Sequence, residues 1–379
     1  MKKILLITSE FPPLTGGIGT YCYQLATAAA KRGHEVTVFA PDFGKPAEQL
    51  GDGGSAFRVV RYAGGSYTVR DFARFFSQVW RQLGADRYDV IHAADWPSAL
   101  MMRNINRFKH VPYMAMVHGT DVLLMPHSRQ IQLLGSKIFE MPERIMTNSA
   151  FTKSLLLKNF PAVDPDRVKV GLLGVGLEWF EEVPDAGAVL ARLGIAEDRF
   201  CVLTVARLDE RKGHRLVFKA LQELPPTIAD NMTYVVVGKG DAEYTEQLRA
   251  LAAQCPVPTV FTGPVPNDDL RALYSSADVF CMPGEPHPRR VEGFGLVYLE
   301  AAAQGVPAIA SRIGAIPEVV VDGTTGIVIA PADFEALKSG LILLFQDSAL
   351  LATLGENARS WARGFTWDRC AAQTYDDGE

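Results

Sequence analysis

Two glutamates stand at the ends of the segment "EGFGLVYLE", with seven residues between Glu292 and Glu300. Glu292 lies in a predicted loop, whereas Glu300 falls inside the helical run "LVYLEAAAQG", which Gly305 is expected to end. A carboxylate among such apolar neighbours loses its hydration unless some group donates hydrogen bonds to it. Two vicinal hydroxyls, such as those of a ribose, would do so. The alternative is that Glu300 points to solvent on a surface helix, which the flanking leucine and alanines disfavour.

A second candidate site follows the strand-like run "FCVLTVA". Arg207 leaves the carboxyl end of that run, and Lys212 and Gly213 come just before the next helical segment. A planar guanidinium and a compact ammonium at a strand exit suit a diphosphate. A solvated turn with surface charges is an equally good interpretation of these residues taken alone.

A third candidate is the turn in "ITSEFPPLTGGIGTYC". A strand is predicted to end at Ser9, and a helix is predicted from about Thr20 to Lys31. Gly16 and Gly17 would let the backbone approach a ligand closely, and the free N–H groups of the helix start would favour an anion. Glycine-rich turns before helices are common, so this pattern by itself indicates a phosphate only weakly.

The elements that must position these residues are short apolar strands alternating with helices. Five such runs precede residue 150 and six follow residue 200: "KILLITS", "HEVTVFA", "YDVIHAA", "PYMAMVHG", "RIMTNS", then "FCVLTVAR", "MTYVVVGKG", "PTVFTG", "ADVFCMP", "VPAIAS" and "TGIVIA". This alternation predicts βαβ units with buried parallel sheets, and two sets predict two doubly wound α/β domains. Residues 172–189 lack periodicity and are interpreted as the hinge. Ligands bind outside the carboxyl ends of such strands, so the cleft between the domains is the expected site.

Composition restricts the class of protein. The 379 residues are 48% hydrophobic and 21% charged, and the net charge is −5. No apolar run approaches the roughly 18 residues of a membrane span, and "ILLI" near the start fits a buried strand better than a secretory signal. Five scattered cysteines without a CxxC pair favour a reducing compartment and disfavour a zinc site. Residues 1–178 carry 21 basic and 15 acidic residues. This excess of positive charge either arises by chance or indicates that the first half of the chain meets an anionic partner.

The chain resembles the retaining nucleotide-sugar glycosyltransferases of family 4, which have the GT-B fold. The resemblance covers nearly the whole sequence. It is carried by "EFPPLTGGIGTY", "VHGTD", "VARLDERKG", the two spaced glutamates, "GVPAIASRIGAIPEVVVDGTTGIV" and "FTWDRC". It implies two Rossmann-like domains, with residues 1–178 binding the acceptor, residues 179–362 binding the donor, and a last helix (363–379) that crosses back onto the first domain.

The resemblance also implies roles for individual residues. Glu300 would hold the ribose hydroxyls, and Glu292 would lie near the hydroxyls of the donor sugar. Arg207 and Lys212 would neutralise the diphosphate leaving group. The remaining expected contacts come from the backbone amides of Phe294, Gly295 and Leu296, from Gly16 and Gly17 over the phosphates, and from His118, at the end of "PYMAMVHG", near the sugar.

His118 could instead be a core histidine, although its place at a strand end favours a binding role. This sequence has "EPHPRR" before Glu292, where the family varies, so the identity of the sugar cannot be deduced.

The predicted activity is transfer of a hexose from a UDP- or GDP-sugar to a hydroxyl of a carbohydrate, lipid-linked or small-molecule acceptor, without nucleic acid or a cofactor. No Asp-x-Asp motif stands at the end of a predicted strand, so the sequence does not indicate a bound Mg²⁺. The resemblance implies front-face attack with retention of configuration. Two alternatives remain at this point: a nucleotide-sugar 2-epimerase with the same fold, and a protein that binds nucleotide sugars without turnover. The expected location is the cytoplasm, with contact at the inner face of the membrane as an open question.

That question arises from one amphipathic segment, "VRDFARFFSQVWRQLG". Its apolar residues fall on one helical face, with basic residues around them: Phe72, Phe75, Phe76, Val79, Trp80 and Leu83, then Arg70, Arg74 and Arg81. A helix packed on the domain core is the favoured interpretation. A helix lying on an anionic bilayer is the alternative.

Overall fold

The computed structural model describes residues 1–14, 16–46, 49–50, 52, 56–64, 69–124, 137–183 and 185–376, except for the side chains of residues 69 and 70. The chain divides into two compact units. The first comprises Met1–Gly174 and the residues from Thr366 on, and the second comprises Val175–Phe365. Each unit has its own apolar core, which lies between a sheet and its covering helices.

The first unit contains a parallel sheet to which the described residues contribute seven strands. These are β1 (Lys3–Ile7), β2 (Glu35–Pro41), β3 (Arg58–Tyr62), β4 (Val90–Ala93), β5 (Met114–Val117), β6 (Arg144–Thr147) and β7 (Val168–Val170). Their order is β3-β2-β1-β4-β5-β6-β7. The helices are α1 (Gly17–Lys31), α2 (Val69–Ala85), α3 (Trp96–Ile105), α4 (Thr120–Leu124) and α5 (Ala150–Asn159), joined by the last helix of the chain.

The described residues of the second unit form a six-stranded parallel sheet in the order β10-β9-β8-β11-β12-β13. Its strands are β8 (Phe200–Val205), β9 (Met232–Val237), β10 (Thr259–Gly263), β11 (Val279–Met282), β12 (Ala308–Ser311) and β13 (Gly326–Ile329). Its helices are α6 (Ala186–Leu193), α7 (His214–Gln222), α8 (Pro226–Ala229), α9 (Ala242–Ala253), α10 (Asn267–Ser275), α11 (Leu296–Ala303), α12 (Ile316–Val319), α13 (Phe334–Gln346) and α14 (Ser348–Ala362).

The prediction of two doubly wound α/β sheets is confirmed, and each predicted run contains a strand. Two strands of the first sheet, β3 and β7, were not predicted. The first helix begins at Gly17, three residues earlier than expected. The last helix, α15 (Trp367–Tyr375), belongs to the first unit and packs against α1, as the family resemblance implied. The units divide at 174/175 and 365/366, whereas the sequence analysis divided them at 178/179 and 362/363.

The apolar face of helix α2 is divided between two environments. Phe75, Val79 and Leu83 are buried in the core of the first unit, as the favoured interpretation predicted, while Phe72 and Trp80 are exposed. Arg70, which the sequence analysis placed beside this face, lies outside the described side chains. Within the described residues, no single helix has the length and apolarity to cross a membrane; α13 and α14 meet these criteria only as a pair, bent by 102°.

Candidate active site

Both sheets reverse their strand order at an internal point, and the predicted site residues follow the strands at these points. In the second unit the order reverses between β8 and β11, which are hydrogen-bonded neighbours. Arg207 comes just after β8, and Glu292 lies in the connection from β11 to α11. Ligands of doubly wound sheets bind at this reversal, beyond the carboxyl ends of the strands.

The Lys212 turn is held against the end of β11 by a glycine that no other residue can replace without strain. Gly213 has φ +76°, and a Cβ at this position would come within 2.0 Å of the Pro283 carbonyl oxygen. The amide of Glu285 donates to the Arg211 carbonyl at 2.8 Å. This close approach brings the basic residues of the turn beside the loop that carries Glu292.

Lys212 and Glu292 form a direct ion pair, which the sequence analysis did not predict. The Lys212 Nζ atom lies 2.5 Å from Glu292 Oε2, and Arg211 Nη1 lies 3.9 Å from the same oxygen. Burial alone would raise the pKa of the Glu292 carboxyl. The positive charges of Lys212, Arg211 and Arg207, with the Lys212 hydrogen bond, outweigh burial and hold that pKa below its usual value.

The backbone at Glu292 is fixed by a second close contact. The amide of Ala315 donates to the Glu292 carbonyl at 3.0 Å, and Gly314, with φ +55°, would place a Cβ within 2.3 Å of that carbonyl oxygen. Gly295 then adopts φ +93° as the N-terminal cap of α11. The N–H groups of the first helical turn have no partner inside the helix, so the amides near Phe294 and Leu296 lie where an anion or a hydroxyl oxygen is stabilised.

Glu300 lies in the interior of α11, largely removed from water. The buried Tyr274 hydroxyl donates to Glu300 Oε2 at 3.1 Å. No described group donates to the other carboxylate oxygen, Oε1. Burial raises the pKa of Glu300 to about 7; the tyrosine hydrogen bond opposes this effect, and the charge of Glu178 adds to it. The apolar surroundings that motivated the sequence argument are therefore present, and one carboxylate oxygen remains open to a donor.

Arg207 is exposed and makes no hydrogen bond or ion pair with the described residues. It lines an open cavity of about 650 Å³ in the second unit together with Lys239 and His287. The cavity is within the range of roughly 300–1,000 Å³ that small-molecule sites occupy. Acidic side chains also line it, namely Asp209, Glu210, Asp241 and Glu243.

The other three candidate residues belong to the first unit. Gly16 is the N-terminal cap of α1, and a Cβ on Gly17 would meet nothing within 4 Å. Asp95, which follows β4, anchors the end of β1, from which the chain continues to the Gly-rich turn: its Oδ2 accepts from the Ser9 amide at 2.5 Å and from the Thr8 hydroxyl at 3.0 Å. This link joins the ends of β1 and β4, where the first sheet reverses its order.

His118 follows β5 and is half-buried. Its Nε2–H donates to the Ala94 carbonyl at 2.8 Å, and the edge of its ring faces Tyr21 with centroids 5.3 Å apart. The Asp121 carboxylate accepts from the amides of His118 and Gly119, which fixes the strand exit. The histidine is thus held in place by the ends of two neighbouring strands.

The structure therefore collects seven of the ten candidate residues in the second unit and three in the first. Sequence reasoning missed Arg211, Tyr274 and Asp95. Arg211 lies in the quoted "DERKG" turn, but nothing in the sequence indicates that Tyr274 packs beneath Glu300. Within the described part of the chain, no cluster of three His, Cys, Asp or Glu side chains could hold a metal ion.

Two family models match this chain. The model "Glycosyltransferase Family 4" matches residues 15–179, and the model "Glycosyl transferases group 1" matches residues 188–361. A GDP-mannose-dependent alpha-(1-6)-phosphatidylinositol monomannoside mannosyltransferase of Mycolicibacterium smegmatis is 33% identical over 376 residues, which cover 95% of this chain and 93% of that protein. The enzyme of the same name from Mycobacterium tuberculosis is 31% identical, with 99% and 98% coverage.

Solved structures share the fold at lower identity. A sucrose-phosphate synthase from Thermosynechococcus elongatus superimposes with a TM-score of 0.82 at 24% identity, covering 99% of this chain and 97% of that one. Anabaena HepE in complex with UDP-glucose gives a TM-score of 0.81 at 20% identity, covering 99% of both chains. The chain belongs to glycosyltransferase family 4, has the GT-B fold, and is a glycosyltransferase.

Proposed function

We propose that this protein is a retaining glycosyltransferase that moves a hexose from a UDP- or GDP-linked donor to an acceptor hydroxyl. The observation that carries the proposal is the convergence of cations at the strand-order reversal of the second unit. Arg211 and Lys212 contact Glu292, and Arg207 lies close enough to lower the pKa of that carboxyl. GDP-mannose is the first donor to test, because the two relatives described above are named as GDP-mannose-dependent.

In this proposal each group binds the part of the donor that its chemistry suits. The open oxygen of Glu300 accepts hydrogen bonds from the ribose hydroxyls. Arg207, which has no partner in the described part of the chain, binds the diphosphate together with Lys212. Glu292 holds the Lys212 ammonium in place and accepts from hydroxyls of the hexose, while the amides near Phe294, Gly295 and Leu296 face the same groups. In the first unit, Gly16, Gly17 and His118 contact the phosphates and the sugar.

The reaction breaks the bond between the anomeric carbon and the diphosphate oxygen, and the acceptor oxygen bonds to the same face of that carbon. The acceptor proton passes to the departing phosphate. Negative charge grows on that phosphate as the bond breaks, so preorganised cations lower the barrier. We propose that Arg207 and Lys212 supply this stabilisation and that turnover is independent of a divalent metal.

The acceptor is proposed to be a carbohydrate, a lipid-linked sugar or a small polyol, bound by the first unit. The names of two kinds of relatives support this range of acceptors. One is the phosphatidylinositol monomannoside mannosyltransferases, and the other is a D-inositol 3-phosphate glycosyltransferase of Corynebacterium glutamicum that is 26% identical. All five cysteines are unpaired, which suits the reducing cytoplasm. No nucleic acid is proposed as a partner.

A panel of UDP- and GDP-linked hexoses tests the proposal in two steps. The correct donor at 100 times its dissociation constant should stabilise the protein by about 2.7 kcal/mol in a thermal-shift measurement. That donor should then lose its hexose to an added acceptor in buffer with EDTA, and the new linkage should keep the donor's anomeric configuration. An inverted linkage or a requirement for a divalent metal would contradict the proposal. Conversion of the donor without an acceptor would indicate the epimerase instead.

A further inference from the structure

An apolar patch on the first unit joins two elements that are distant in sequence. Helix α2 contributes Phe76 and Trp80, whose rings stack with centroids 5.9 Å apart. The loop between α3 and β5 contributes Phe108, whose ring meets Phe76 edge-on at 6.4 Å. Phe108 is 76% exposed and Trp80 is 40% exposed. These three residues, the aromatic patch, border an open hollow of about 460 Å³ together with Arg81.

The folding of α2 does not account for the aromatic patch. The helix already buries Phe75, Val79 and Leu83 in the core of the first unit, and this stripe anchors it. Phe76 packs partly against the same core, but Trp80 and Phe108 do not belong to it, and the three rings together form an apolar surface that no described residue covers. Contiguous exposed apolar surface of this kind marks a site of interaction.

The surroundings of the aromatic patch are basic. Arg81 borders it, and Arg107 and Lys109 flank Phe108; all three are exposed. Residues 72–83 and 103–110 contain five Lys or Arg and no Asp or Glu, and one of the five, Arg74, pairs with Asp71 at 3.9 Å. No described carboxylate pairs with Arg81 or Arg107. The Lys109 Nζ atom donates to the Leu83 carbonyl at 3.3 Å, which ties the loop to the end of α2.

We propose that the aromatic patch and its basic border dock on the surface of an anionic lipid bilayer. Aromatic rings partition into the boundary between headgroups and acyl chains, and neighbouring Lys and Arg side chains attract anionic headgroups. The uniform charge favours a lipid surface over a protein partner, because residues 72–83 and 103–110 contain no Asp or Glu and the whole border attracts anionic headgroups. The proposal requires neither a donor nor an acceptor, so it stands apart from the proposed function.

Co-sedimentation of the full chain with vesicles tests the docking. We expect recovery with phosphatidylglycerol-containing vesicles, little recovery with pure phosphatidylcholine, and a loss of binding as salt is raised. Arg81→Glu replaces a positive with a negative charge and should weaken association by roughly 10- to 30-fold. Phe108→Ser should weaken it by at least about 10-fold. Lipids brominated in the acyl chain should quench the tryptophan fluorescence of the wild type more than that of the Trp80→Phe variant, because the proposal places Trp80 next to the acyl chains.

Two matched control variants test whether vesicle binding depends on this surface or only on the charge and apolarity of the protein in general. Lys158→Glu makes the same charge change at an exposed position on α5, and Met141→Ser removes another exposed apolar side chain of the first unit. Both should bind vesicles like the wild type. Equal recovery with neutral and anionic lipid, or equal weakening by Arg81→Glu and Lys158→Glu, would overturn the proposal. A complete lack of vesicle binding by the folded wild type would also overturn it and leave a protein as the occupant.

Discussion

Glu300 is a carboxyl group whose surroundings disfavour its charge, since burial raises its pKa to about 7. An acid with a raised pKa in the folded state stabilises the protein below its unfolded pKa, near 4.5, and that stability is lost as pH rises towards 7. The full effect corresponds to at most about 3 kcal/mol, at 1.36 kcal/mol per pKa unit. A ribose that donates to the ionised form would recover part of this free energy on binding.

Glu300→Gln should therefore stabilise the unliganded protein at pH 8 by up to about 3 kcal/mol and change little at pH 4. The amide keeps the size of the side chain but cannot ionise. Urea unfolding at the two pH values measures the difference. Glu356→Gln is the control, because Glu356 is an exposed residue of α14 that lies outside the site. An equal effect of Glu300→Gln at both pH values would contradict the assigned burial.

The Lys212–Glu292 pair joins two largely buried charges, with side-chain exposures of 13% and 19%. Removal of one partner leaves the other charge uncompensated, which costs about 3–5 kcal/mol in buried pairs. The pair also holds the ammonium at a fixed position, where the donor's phosphates are proposed to bind.

Lys212→Met should lower the free energy of unfolding by roughly 3 kcal/mol, whereas Lys212→Met combined with Glu292→Gln should lose less than the single lysine variant. Chemical unfolding of the two single variants and the double variant gives the coupling free energy. Additive losses would show that the two side chains do not stabilise each other. Circular dichroism confirms that each variant is folded before it is compared.

At the scale of the element, Gly213 in the Lys212 turn and Gly17 at the start of α1 differ in the reason for which each position has a glycine. Gly213 is needed by the fold, because a Cβ there would collide with the Pro283 carbonyl and its φ is +76°. Gly17 has open space around the position of a Cβ and begins α1. The described part of the first unit thus gives no steric reason for glycine at 17, which agrees with a role in ligand approach.

Gly213→Ala should destabilise the protein by several kcal/mol, because both backbone strain and a backbone collision oppose the methyl group. Gly17→Ala should keep its melting temperature within about 2 °C and raise the donor's KM by roughly 10-fold or more. Differential scanning calorimetry and steady-state kinetics measure the two effects. A Gly17→Ala variant with normal stability and normal KM would remove this glycine from the proposed donor site.

Most strands were predictable because a strand that is buried on both faces is a continuous apolar run; β10 was predicted as well, although its residues are only half-buried. Strand β3, "RVVRY", is half-exposed and begins with arginine, and β7 is only the three residues "VKV". Neither has the length or apolarity that the pattern requires. Amphipathicity correctly predicted helix α2, but it could not divide the helix's apolar face into buried and exposed parts.

At the scale of the whole molecule, the sequence could indicate a candidate site because several candidate residues follow strand ends directly, as Arg207 follows β8. Contacts across the chain were not predictable. The Lys212–Glu292 bond spans 80 positions, and the Tyr274–Glu300 bond spans 26. Their existence depends on the order of the strands in the sheet, which periodicity does not specify. The cation cluster and the carboxyl with a raised pKa therefore required the structure.

The central claim is that the second unit binds the donor and that Arg207 stabilises the leaving phosphate. Steady-state transfer by Arg207→Ala and Glu300→Ala tests it most directly, with Arg249→Ala, on the outer helix α9, as the control. Arg207→Ala should lower kcat by roughly 100- to 1,000-fold at saturating donor, because its charge acts on the transition state. Glu300→Ala should mainly raise the donor's KM, by roughly 10- to 150-fold for a lost charged hydrogen bond. If Arg207→Ala raises only KM and leaves kcat unchanged, the proposed role of Arg207 is wrong.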